Sequence, residues 1–192
     1  FKAFHTKYYH PSNARIVFYG DDDPEARLDL LDPVLSQFDK IDIDATIPVQ
    51  PRWSAPKKLV ETYASGPIEP GKKTSMLTVN WLLDMQGSPG EVLALNMLEY
   101  ILVGNSAAPL RKALIDSGLG EGLSGSGFVE DLRQPYFTVG LKGIDEADAD
   151  RVEALILDTL AELARDGIDK QTVEAAVNSL EFAMRENNTG SY

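Results

Sequence analysis

Apolar positions recur at helical spacing in some stretches of the chain and at spacing two in others, and these two periods divide it into elements. The longest patterned stretch is Glu91–Gly127, EVLALNMLEYILVGNSAAPLRKALIDSGLGEGLSGSG. It predicts a long apolar helix, a Gly-Asn break at Gly104, a shorter helix carrying Leu110 and Leu114, and a glycine-rich strand. Ser88 is placed to accept from the Glu91 backbone N–H, and Pro89 at the first helical position has no N–H to satisfy. At the far end Gly118 supplies a left-handed residue, which lets Leu119 fold back toward Leu114.

The remaining elements are read in the same way. Phe4 and Tyr8 share one side of a short helix over Phe1 to His10, closed by His10-Pro11. Ala14 to Tyr19 reads as a buried strand. Asp23-Pro24 opens a helix with Leu28, Leu31, Leu35 and Phe38 at helical spacing, and Pro33 inside it predicts a kink or a break. Asp39 to Pro56 has little periodicity and reads as a linker. Leu59 to Ala64 and Ser75 to Leu83 read as strands across a Gly/Pro loop at 65–73; Leu77, Val79 and Trp81 share one face of the second.

After the two central helices, Gly122 to Val129 and Tyr136 to Lys142 predict a strand pair. Asp145 then caps a helix with Val152, Leu155, Ile156, Leu160 and Leu163 on one stripe, ended by Gly167 with Ile168 able to contact Leu163. Asp169 caps a last helix with Val173, Val177, Leu180 and Met184 inward. From Lys57 the order is therefore strand, strand, helix, helix, twice over. That order predicts an α+β fold: a mixed or antiparallel sheet with helices gathered on one face.

Composition narrows the class. The 192 residues are 43% hydrophobic, enough for a core, and no apolar run approaches the roughly 20 residues that a membrane span requires. A soluble, globular chain is expected. The sequence starts abruptly at Phe1 with neither a secretory nor a transit segment, so a fragment is expected. Without cysteine there are no disulfides, thiolate ligands or cysteine nucleophiles. A net charge of −12 opposes binding to nucleic acid and to anionic lipid, and suits basic peptides.

The apparent chemical motifs fail on context. Gly120, Gly122 and Gly125 spell G-x-G-x-x-G, but a dinucleotide site runs from strand through glycines to helix; here a helix leads in and a strand follows. His5 and His10 are the only imidazoles, and five residues apart they diverge by about 140° on a helix. Neither H-x-x-E-H nor H-E-x-x-H is present. Asp21, Asp22 and Asp23 lack the spacing of a calcium loop and read as a turn ending in a helix cap. Ser124 and Ser126 lack a nucleophile elbow and a nearby histidine base. Lys57-Lys58 and Lys72-Lys73 read as solvated strand-edge protection. Asn187-Asn188-Thr189 matches a glycosylation sequon, without a secretory signal to give it use.

Five ordered runs resemble one family: FHTKYYHPSNARIVFYGDDDP from Phe4, VNWLL from Val79, APLRKALIDSGLGEG from Ala108, QPYFTVGLKGI from Gln134 and EFAMRENNTGSY from Glu181. Together they resemble the presequence-protease branch of the pitrilysin and insulin-degrading-enzyme family, the inverted zincins. The sequence departs from that pattern at Ala108, where relatives tend to carry a capping serine, and at Pro33.

The resemblance implies a zinc metallopeptidase whose two similar halves enclose a chamber and degrade cleaved targeting peptides and other short unstructured peptides, in the mitochondrial matrix or the chloroplast stroma. It places the zinc ligands and glutamate base on the first domain of the amino-terminal half, and the transition-state arginine and tyrosine on the carboxy-terminal half. The expectation is an internal piece of the amino-terminal half: residues 1–48 as the tail of the catalytic domain and the linker start, residues 49–192 as a second, non-catalytic domain. No catalytic, cofactor-binding or metal-binding residue is assigned to this chain, and zinc is expected in the parent protein only. The expected role is chamber wall and scaffold, with short basic peptides and the missing parts of the protein as partners. The alternative is an inactive structural or peptide-binding subunit of the same fold.

Overall fold

Residues 1–64, 71–84 and 87–186 are described by the computed structural model. The chain divides into two compact units, Phe1–Pro48 and Val49–Tyr192.

The first unit is built from local signals. Helix α1 (Lys2–Tyr8) brings the rings of Phe4 and Tyr8 together, tilted, at 4.7 Å. His10 then caps a single 3-10 turn at Pro11–Asn13, its Nδ1 accepting from the Ser12 N–H at 3.1 Å. Helix α2 (Pro24–Leu35) starts where Asp23 accepts from the Glu25 N–H at 3.0 Å. It runs through Pro33 and stops two residues later, so the proline occupies the last turn, and Phe38 lies beyond the helix in the following turn.

The strand expected over Ala14–Tyr19 does not form. Those residues have no ladder partner among the described residues, and Val17 and Tyr19 are 87% and 103% exposed. β pairing is non-local, and an apolar run without a neighbouring strand gains neither hydrogen bonds nor burial. No residue of 1–48 is buried.

The second unit holds a three-stranded antiparallel sheet in the order β1-β3-β2: β1 (Ser75–Leu82), β2 (Gly122–Val129) and β3 (Tyr136–Ile144). The register sets Leu77 beside Leu141, Val79 beside Val139 and Trp81 beside Phe137. These side chains meet Leu102 and Val103 of α3 (Pro89–Val103), Leu110 and Leu114 of α4 (Pro109–Asp116), and Val152 and Ile156 of α5 (Ala149–Asp166). On the opposite face of β1, Met76, Thr78, Asn80 and Leu82 are exposed. The helices thus gather on one face, as the strand alternation predicts. Leu110, Leu114 and Leu141 are fully buried, each stabilising the fold by about 1.5–3 kcal/mol over an exposed position.

Among the described residues the first copy of the repeat has one strand, not two. Leu59–Ala64 forms no ladder, and Leu59 and Val60 are 82% and 76% exposed. Its flanks are held by side chains instead: Lys58 pairs with Asp150, and the Tyr63 hydroxyl donates to the Thr74 carbonyl. Of the expected loop at 65–73, residues 65–70 lie outside the described residues. The described order is strand, helix, helix, strand, strand, helix, helix. The α+β class stands, with every strand pairing antiparallel.

The helix ends follow the sequence closely. Ser88 and Glu91 form a reciprocal capping box at α3. Gly118, at φ +65°, follows α4, its N–H donating to the Ile115 carbonyl, and Leu119 packs against the core that contains Leu114. Asp145 caps a 3-10 turn at Glu146–Asp148 that leads into α5, rather than capping α5 itself. Helix α6 (Lys170–Glu186) is capped by Asp169 and packs on α3. Its inward stripe is Val173, Ala176 and Leu180. Val177 and Met184, expected inward, are 38% and 61% exposed. Ala176 is buried at the centre of this stripe, and Val177, about 100° further round the helix, falls outside it.

Candidate functional site at the glycine-rich edge strand

Most of the residues weighed as chemical candidates are occupied by structural tasks, while Asp21, Lys72 and Ser126 are exposed. His5 stacks on Tyr9 at 4.6 Å, and His10 caps its turn with its ring edge-on to Phe38. Asp22 pairs with Arg27, whose guanidinium holds that carboxyl below its ordinary range, and Asp23 caps α2. Lys57 lies 4.9 Å over the Trp53 ring, Lys58 pairs with Asp150, and Lys73 is 3.9 Å from Asp148. The sequon Asn187-Asn188-Thr189 lies outside the described residues. Among the described residues no three His, Asp or Glu side chains are grouped to hold a metal ion.

The glycines do not cradle a ligand; they let strands approach. A Cβ at Gly120 would stand 2.8 Å from the Lys142 carbonyl oxygen, and one at Gly125, where φ is +89°, would stand 2.7 Å from that of Thr138. Ser124 is 6% exposed, and its hydroxyl donates to the Leu77 carbonyl at 2.7 Å, a structural bond and not a poised nucleophile. Gly125 and the exposed Ser126 fall in an irregularity where the β2–β3 register shifts between Ser124 and Gly127.

This irregular strand lies at the sheet edge. Among the described residues β2 pairs only with β3, so its outer backbone groups have no ladder partner there. Glu121 precedes the strand and Glu130 follows it. Helix α3 supports it from the side with two polar residues three apart. The Asn96 amide donates to Glu130 at 3.0 Å, and the Glu99 carboxylate fills the space a Cβ at Gly127 would occupy, at 2.4 Å. Burial pushes the Glu99 carboxyl up. Sequence reasoning passed over this pair, although Asn96 and Glu99 interrupting the apolar run ALNMLEYILV were its signal.

An open, glycine-rich edge strand between carboxylates has no nucleophile and no acid–base pair. What it offers is backbone N–H and C=O groups to an extended chain, with little side-chain bulk in the way.

Comparison with known proteins adds the lineage. The sequence matches the model of the peptidase M16 inactive domain over residues 1–180, across both units. It is 49% identical over 199 residues to presequence protease 1, chloroplastic/mitochondrial, of Arabidopsis thaliana, covering 100% of this chain and 18% of that protein. It is 36% identical to protein HypA of Clostridium perfringens, covering 100% of this chain and 20% of the relative. It is 35% identical to the mitochondrial presequence protease of Xenopus laevis, covering 98% of this chain and 19% of the relative. The chain thus spans about a fifth of the length of these curated relatives. It belongs to the peptidase M16 inactive-domain family.

Proposed function

We propose that this chain is a non-catalytic portion, chamber wall and scaffold, of a zinc metallopeptidase that degrades targeting presequences and other short unstructured peptides in mitochondria or chloroplasts. The observation that carries this reading is the 49% identity to a presequence protease along the whole chain. Residues 1–48 are then the end of a preceding catalytic domain, and the unit from residue 49 is a second domain. The complete lack of buried residues in 1–48 supports this, because a self-sufficient domain would carry its own core.

Zinc belongs to the chemistry of such a parent protein, but the residues here do not fit it. Both imidazoles are engaged, one in a ring stack and one in a turn cap, and the described carboxylates are not grouped around a common point. No step of hydrolysis is therefore assigned to this chain. Its contribution is to present surface to the peptide. The outer edge of β2 accepts an extended peptide as an added strand, and the net charge of −12, with Glu121 and Glu130 at the ends of that strand, favours a basic one.

The test compares purified 1–192 with the full-length parent. The parent is expected to cleave a basic presequence peptide in a chelator-sensitive way and the isolated chain to cleave nothing. Chelator-sensitive cleavage by 1–192 would overturn the reading. Within the parent, Glu121→Lys should raise KM for a basic peptide at low salt and leave a neutral peptide unaffected; equal effects on both would remove the charge assignment.

A further inference from the structure

We draw no further inference here: the strongest candidate, the apolar groove of the first unit lined by Pro11, Ala14, Ile16, Leu31, Leu35 and Phe38, carries nothing because nothing in the structure shows what covers it.

Discussion

The Ser124 hydroxyl reaches the Leu77 carbonyl at 2.7 Å, joining the two outer strands β2 and β1 across the central one. Gly140 makes this reach feasible. It pairs with Thr78 on one side and Ser124 on the other, and a Cβ there would stand 1.9 Å from the Leu77 oxygen.

Gly140→Ala is therefore expected to be among the most damaging single changes in the second unit, costing roughly 3 kcal/mol or more, because backbone and not a flexible side chain must move. Ser124→Ala removes only the hydrogen bond and should cost about 1–2 kcal/mol. Urea unfolding followed by circular dichroism measures both. A Gly140→Ala variant as stable as Ser124→Ala would mean that the strands yield easily at this crossing.

Glu99 and Gly127 form a second interlocked pair. Burial raises the folded-state pKa of Glu99, so its ionisation opposes folding: the favourable contribution is complete below the unfolded carboxyl pKa and is lost as pH rises through the raised folded value. Glu99→Gln keeps the shape and removes the charge. It should be more stable than the unsubstituted sequence at pH 7, with the difference shrinking as acidification passes through the raised folded value and gone once the pH is below the ordinary carboxylate range. A pH-independent difference would sink this account.

Gly127→Ala tests the same contact from the other side. Its φ of +69° strains any residue with a Cβ, by about 1–2 kcal/mol, and the new methyl would also collide with the Glu99 carboxylate. Adding Glu99→Ala should relieve the collision and leave the backbone strain, so the double variant is expected to recover part of the loss. Strict additivity in a double-mutant cycle would show that the two residues do not touch.

Helix caps make a pair of opposite expectations. Ser88→Ala breaks the reciprocal box with Glu91 and should cost about 1 kcal/mol. Ala108, at the start of α4, makes no side-chain cap bond, so Ala108→Ser should stabilise by up to about 1 kcal/mol. Ala108 is 1% exposed, and a serine that lowered the melting temperature would show its hydroxyl buried without reaching the helix N–H groups.

The stretch between Asp39 and Pro56 has no helix or strand and contains Lys40 and Arg52. Limited trypsin digestion is expected to cut there first and leave a resistant product beginning near residue 53. Early cleavage inside α4, at Arg111 or Lys112, or inside α5, at Arg151 or Arg165, would count instead against a second unit that folds as one body.

Most of the helices, and most of the helix ends, were legible because their causes are local. Ser88 with Glu91, Asp23 before Pro24, Asp169, Gly118 and Gly167 each act on backbone groups within a few residues, and the structure places them as their spacing predicts. The alternation of Leu77, Val79 and Trp81 likewise identified the core face of β1. The five ordered runs pointed to the family that the matches to known proteins establish.

What the sequence could not decide depends on partners distant along the chain. Ala14–Tyr19 and Leu59–Ala64 are apolar enough for strands, yet a strand exists only where another offers its backbone, and no strand pairs with them among the described residues. Which stripe of α6 turns inward is set by its packing on α3, where Ala176 is buried and Val177 is not. The Ser124–Leu77 bond and the Glu99–Gly127 contact span 47 and 28 residues of chain. Helix propensity and capping are written locally and survive in the sequence; pairing, burial and the fit of one side chain into the space left by a glycine arise only when the tertiary fold brings those residues together.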